Sequence, residues 1–222
     1  MKKTLILFVI STMFIGMTLT SAKAQETTAT ATNAPKFGIK GGINISNLST
    51  KEADQDKMLT GFNIGVFAKM PITNNIAIQP ELYYTTKGAQ VNYSGTFVNG
   101  TAKFNLNYIE MPLLLVVNLT DNFNIHFGPY ISYLVDGKVT NESNSTLFNF
   151  ENNIKTEDYN KFEAGVAAGA GFDIGAFSLG ARYTYGLTTV GKERTFIGTS
   201  YTFPDAKNGV ASVYISFALG GE

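Results

Sequence analysis

The chain contains no cysteine, no tryptophan and a single histidine, His126. Without cysteine there are no disulfides, no thiolate metal sites and no acylated N-terminal cysteine of the lipoprotein kind. Charge of one sign is also lacking, since Lys plus Arg equals Asp plus Glu at 17 each. No basic field exists to attract a polyanion, so nucleic-acid binding is not expected. Long apolar runs are absent except at the N-terminus, so no helix after that point can span a bilayer.

That one run follows Lys2 and Lys3, extends from Leu5 to Leu19, and ends before Ala22-Lys23-Ala24. A basic start, a short apolar stretch and an A-x-A site have the form of a cleaved secretory signal peptide, and the run is shorter than the roughly 20 residues of a spanning helix. Residues 1–24 are read as signal peptide, residues 25–36 as a flexible Thr/Ala-rich leader, and residues 37–222 as one β-barrel domain. Abundant Tyr, Phe and Gly suit strands, turns and interfacial aromatics better than packed helices.

What the rest of the chain has is alternation. In residues 37–47, Phe37, Ile39, Gly41, Ile43 and Ile45 fall on one face, and Gly38, Lys40, Gly42, Asn44 and Ser46 on the other. Side chains of a strand alternate between its two faces, so this stretch is a strand with one oily and one wet side. Seven further stretches follow, at 60–70, 76–86, a strand ending near 117, 124–135, 162–172, 177–187 and 209–219. Each is about long enough to cross a bilayer as a tilted strand. The connections alternate between long polar segments (48–59, 87–103, 136–161, 188–208) and short turns (71–75, 118–123, 173–176). Long external loops and tight periplasmic turns are the habit of bacterial outer-membrane barrels, and both chain ends then lie on the periplasmic side.

A soluble sandwich or lipocalin-type barrel also alternates, but it turns its apolar face inward. Here one face of every strand is nearly free of charge, which lipid requires and a soluble surface rarely shows. The expectation is therefore an all-β fold, an eight-stranded antiparallel transmembrane β-barrel in the cell outer membrane, with outer-membrane lipids against its wall. Two features strain the pattern. Asn105 and Asn107 share parity with Ile109, Met111, Leu113 and Leu115, so either a bulge near Tyr108 switches faces or the strand's early part projects above the bilayer. Pro80, Pro112 and Pro129 also fall inside three successive strands, where each removes a ladder donor.

Four segments carry a resemblance: Gln79-Pro80-Glu81-Leu82-Tyr83-Tyr84, Tyr108-Ile109-Glu110-Met111-Pro112-Leu113-Leu114-Leu115, Gly128-Pro129-Tyr130-Ile131-Ser132-Tyr133 and Arg182-Tyr183-Thr184-Tyr185-Gly186-Leu187. They resemble the PorT-like outer-membrane β-barrel family common in Bacteroidota, over Phe37 to Leu219. The resemblance implies an eight-stranded barrel in a Gram-negative outer membrane, with the three prolines as family features. The member that gave the family its name takes part in protein secretion, but the shared motifs describe the wall and lining of a barrel rather than a site. One departure is the end of the last strand, where Phe217-Ala218-Leu219 is followed by Gly220-Gly221-Glu222 instead of a terminal aromatic residue.

Six charged residues share the lumenal parity: Lys40, Lys69 and Arg182 against Glu81, Glu110 and Glu163. An eight-stranded barrel is just wide enough for side chains to fill, so these groups must meet one another, and a salt-bridged plug with Tyr83, Tyr108 and Tyr130 as further donors is expected. The rival reading, paired carboxylates as general acid and base, would need a cleft that nothing in the sequence implies. His126 stands about two residues past a short turn, far from the outer leaflet where lipid chemistry would occur, and is read as lumen lining. The run Gly165-Val166-Ala167-Ala168-Gly169-Ala170-Gly171 lacks the spacing of a phosphate loop, and its small residues instead make room for bulky groups opposite. Glu52, Asp54 and Asp56 lack the glycine and closing Glu of an EF-hand and are read as a solvated loop.

No catalytic, cofactor-binding or metal-binding residue is assigned, and no cofactor is implied. The function expected is that of a non-enzymatic barrel whose loops bind an extracellular or secretion-system protein partner. The alternatives are a lipid-modifying barrel enzyme and a narrow diffusion pore.

Overall fold

The computed structural model describes residues 34–50, 56–94, 99–143, 150–153, 159–196, 199–203 and 206–219. Residues 1–24, read as a signal peptide, nearly all of the segment read as a leader, and the loop carboxylates Glu52 and Asp54 lie outside the described residues. Among the described residues there are twelve strands: β1 (Lys36–Thr50), β2 (Asp56–Lys57), β3 (Leu59–Pro71), β4 (Ile76–Ser94), β5 (Asn99–Asn118), β6 (Phe123–Ser143), β7 (Phe150–Asn153), β8 (Phe162–Ile174), β9 (Phe177–Gly186), β10 (Lys192–Phe196), β11 (Thr199–Phe203) and β12 (Ala206–Leu219). Eight of them pair antiparallel in the order β4-β3-β1-β12-β9-β8-β6-β5, and β5 returns to β4, so the sheet has no free edge. The first and last strands close it along an unbroken register from Phe37↔Leu219 to Thr50↔Ala206. Closure is what lets a sheet satisfy every backbone group in lipid.

Alternation sets the two surfaces. Ile43, Ile64 and Ile215 point outward and are 61%, 60% and 60% exposed, and they belong to an apolar band carried by every barrel strand, which a soluble surface rarely shows and acyl chains require. Aromatic residues mark the two edges of this apolar band. At the turn end Phe177 and Phe217 pack with ring centroids 4.8 Å apart, and at the other end Tyr133 meets Phe162 at 5.1 Å and Phe62 meets Tyr84 at 6.0 Å. Such girdles sit at the level of the headgroups.

The tight turns are built by short polar side chains. Thr73 Oγ1 accepts hydrogen bonds from the Asn75 and Ile76 amides, and Thr120 Oγ1 repeats the arrangement with Asn122 and Phe123. The turn between β8 and β9 uses Gly175 instead, at φ 61°, where a side chain is disfavoured. Asn75 Nδ2 donates to the Asn118 carbonyl at 3.2 Å and Asn122 Nδ2 to the Asp173 carbonyl at 2.7 Å, so neighbouring turns are tied together.

The structure changes one expectation and resolves the two strained features. First, the strands run further than the alternation suggested: the segments read as loops at 87–103 and 136–161 supply the ends of β4, β5 and β6, β1 reaches Thr50, and the segment 188–208 holds the β10–β11 hairpin. Past the lipid band a strand no longer needs an oily face, so its sequence signal fades while its ladder continues. Second, the register does shift at Asn107/Tyr108, but the extra residue is Val135 on β6, because Asn107 pairs with Asp136 while Tyr108 pairs with Leu134. β5 keeps its alternation, with Leu106, Tyr108 and Glu110 buried in the lumen; Asn105 and Asn107 belong to the part of β5 beyond the apolar band. Third, the prolines sit inside paired strands. Beside Pro80, Pro112 and Pro129 the register skips two pairs on one side only, at 68–69/79–80, 81–82/111–112 and 113–114/128–129. Each missing N–H is thereby confined to one strand interface.

Glycines make room for lumenal rings. A Cβ on Gly165 would lie 2.5 Å from the Tyr130 ring, and one on Gly65 2.6 Å from Tyr83. Gly165→Val should therefore displace Tyr130 and lower barrel stability by about 1–3 kcal/mol, read as a drop in the denaturant midpoint of the purified protein in detergent. An unchanged midpoint would show that the lumen is looser than its packing suggests.

Candidate functional site: two buried charge layers above a polar cup

The six charged residues expected to share the lumen separate into three places. In an inner layer, Glu81 on β4 accepts from Lys40 Nζ on β1 at 2.7 Å, from both terminal nitrogens of Arg182 on β9, and from Gln79 Nε2 at 2.6 Å. Lys40 Nζ stands 4.3 Å from the centre of the Tyr214 ring, and Arg182 Nε donates to His126 Nε2 at 3.3 Å. In an outer layer, Lys87 Nζ lies 2.5 Å from Glu110 and 2.9 Å from Glu163. The Tyr130 hydroxyl donates to Glu163 at 2.7 Å, Asn208 donates to the other Glu163 oxygen, and the Tyr130 ring lies 4.6 Å under Lys87 Nζ. Lys69 joins neither layer; it bonds Asp173 at 3.5 Å and Asn118 at 3.3 Å nearer the turns. Glu110 and Arg182, both expected in one network, are bound to different partners in different layers.

All six layer residues are buried. Ionic groups so placed persist only when each is paired, which both layers achieve by sharing one central group between two opposite charges. Between the layers Asn63 Nδ2 donates to Asn44 Oδ1 at 2.6 Å and Asn44 Nδ2 to Thr85 Oγ1 at 2.9 Å, leaving a void of about 20 Å³, room for roughly one water. Beyond the outer layer, Ala89, Leu106, Tyr108, Leu134 and Val190 form a buried apolar cap.

Below the inner layer the lumen opens into a cup of about 560 Å³. Lys40, Gln79, His126 and Tyr214 form its floor, Lys69, Asn124 and Asp173 its wall, and turn residues such as Asn75 and Asn122 ring its mouth. His126 lines the cup as expected. It is hydrogen-bonded to Arg182 and, at 3.5 Å, to Asn124 Oδ1, and its ring centroid lies 6.1 Å from that of Tyr214; among the described residues no hydroxyl or carboxylate is hydrogen-bonded to it as a catalytic partner would be.

Three partners escaped the sequence reading. Lys87 follows Glu81, Tyr83 and Thr85 at period two, Asp173 follows Gly165 through Gly171, and Asn208 precedes Val210, Ser212, Tyr214 and Ser216. Each lies one residue outside the strand assigned to it: Lys87 and Asn208 where the neighbouring outward positions are no longer large and apolar, and Asp173 in what was read as a turn although Ile174 continues the outward apolar face. No group of three or more metal-ligating side chains is present among the described residues.

A closed antiparallel barrel with an apolar exterior and a polar interior crossed by buried ion pairs is an outer-membrane architecture, and a family model described as "Outer membrane protein beta-barrel domain" matches residues 23–191. The chain belongs to that family. No curated protein matches its sequence. Among solved structures the barrel is similar to Ail, the attachment invasion locus protein of Yersinia pestis, at 15% identity over 83% of this chain and 98% of that one, with a TM-score of 0.47. It is similar also to Neisserial surface protein A (13% identity, 83% and 98% covered, TM-score 0.49) and to the outer membrane enzyme PagL (11% identity, 83% and 99% covered, TM-score 0.31).

Proposed function

We propose that this outer-membrane barrel is a closed, non-enzymatic anchor of PorT-like type that holds extended strands and loops at the outer surface to engage a protein partner of the envelope or secretion apparatus. The observation that carries this reading is the filled cross-section: two ion-paired layers and an apolar cap stand in series across the lumen. A solute would have to break several buried charge pairs to pass, which argues against a diffusion pore. What remains to interact is the part beyond the lipid, where β4, β5 and β6 continue to Ser94, from Asn99 and to Ser143. A lipid-modifying role is disfavoured by the placement of His126, deep in the turn-end half and bound to Arg182 rather than poised at the outer rim. Residues 1–24 would be removed on export.

The test uses the full mature protein. In planar bilayers it should give no unitary conductance, and with lipid A it should release no fatty acid. Replacing 192–203, the β10–β11 hairpin, with a short Gly/Ser linker should leave the heat-modifiable folded band intact while abolishing formaldehyde cross-links to envelope proteins in cells. Stable conductance steps, acyl release, or cross-links unchanged without the hairpin would each overturn the reading.

A further inference from the structure

The two charge layers balance as a pair but not singly. The inner layer holds two cations, Lys40 and Arg182, against one carboxylate, Glu81, a net +1; the outer layer holds Lys87 against Glu110 and Glu163, a net −1. Adding the other charged residues that line the cup, Lys36 and Lys69 against Asp121 and Asp173, leaves the inner side at +1, because two cations offset two carboxylates and Lys69 pairs with Asp173. The compensating negative charge lies on the far side of Asn44, Asn63 and Thr85, whereas the surplus positive charge faces the cup. A buried surplus charge is unfavourable unless an opposite charge reaches it.

The cup is shaped to admit one. Lys40 Nζ has a single hydrogen-bond acceptor, Glu81, while its other contacts are the faces of Tyr214 and Phe67. His126 accepts from Arg182 at Nε2, so in its neutral form the proton sits on Nδ1, whose hydrogen-bond partner among the described residues is Asn124 Oδ1 at the 3.5 Å limit. An ammonium with spare donors and an imidazole N–H with a weak partner thus converge on one cavity, beside the amides of Gln79 and Asn124, whose nitrogens donate to Glu81 and Asp173. Its volume of about 560 Å³ is within the range of small-molecule sites.

We infer that the cup is a periplasm-facing binding site for a small oxyanion, a carboxylate- or phosphate-bearing solute whose charged end rests on Lys40 and the His126 Nδ1–H. The anion supplies the counter-charge that the inner layer lacks, so binding and barrel stability are linked. The site goes beyond the anchoring role and stands or falls separately from it, since neither conductance nor loop cross-linking reads the cup.

The experiment measures the unfolding midpoint and calorimetric binding of the full mature barrel in a nonionic detergent at low chloride. The probes are inorganic phosphate, citrate and N-acetylalanine, with glycerol as the uncharged control. At least one anion should bind saturably and raise the midpoint, and glycerol should not; phosphate alone points to a phosphate ligand, the two carboxylates alone to a carboxylate. Two variants complete the test. Lys40→Met removes the surplus charge while leaving Glu81 and Arg182 as a neutral pair, and Ala218→Trp, which lines the cup away from both ion layers, fills it. Both should keep the folded band and weaken the anion by about tenfold or more, the effect of losing a charge-assisted hydrogen bond. Absence of saturable binding to the wild-type protein, or binding undiminished in either folded variant, would overturn the site.

Discussion

Glu81→Leu should be among the most damaging single substitutions in the barrel, lowering stability by roughly 3–5 kcal/mol, because it strands both Lys40 and Arg182 in a confined interior. Lys87→Met should act alike on the outer layer, leaving Glu110 and Glu163 facing each other without a cation. The two central groups differ in this from the peripheral ones. Removing Lys40 or Glu110 converts a triad into a neutral pair, Glu81 with Arg182 or Lys87 with Glu163, and should cost far less. A second contrast follows from which residues touch. Charge-neutral replacement of Glu110 and Arg182 together should show no mutual rescue, since they lie in separate layers. The readout is the denaturant midpoint of folded protein, scored by the shift between folded and heat-unfolded bands on a gel. Equal losses at central and peripheral positions, or rescue between Glu110 and Arg182, would mean that the two triads do not exist as separate units.

The second large effect lies on the opposite face of the same strands. Ile64→Arg, Leu113→Arg and Ile215→Arg, each placing a guanidinium among acyl chains near the middle of the apolar band, should cost about 2–4 kcal/mol apiece. Ser178→Arg, which also adds one cation but points into the water-accessible cup, should cost much less. If the lipid-facing and cup-facing arginines were equally tolerated, the outward face of this barrel would not be meeting lipid.

Much of this protein is legible in the order of its residues. Period-two alternation with a nearly charge-free face specifies strands with one side in lipid, because a strand has only two faces and only lipid tolerates such an oily one. Strict exchange of long and short connections specifies up-and-down order, and the count of eight specifies a lumen that side chains must fill. The lumenal parity of Lys40, Lys69, Glu81, Glu110, Glu163 and Arg182 follows from the same alternation.

The partnership of those charges does not. Glu81 and Arg182 are separated by about a hundred positions in the chain and by several strands around the barrel, and which cation faces which carboxylate depends on strand tilt and register, both settled only when β12 closes on β1. The single-residue bulge at Val135, the one-sided register gaps at Pro80, Pro112 and Pro129, and the continuation of β4 to Lys87 each shift that register. Alternation in sequence fixes the face a side chain occupies, a local property with period two. Height and neighbour in the lumen are global properties of the closed sheet, so only the tertiary structure could sort the charges into two layers of opposite sign and leave the positive one over an open cup.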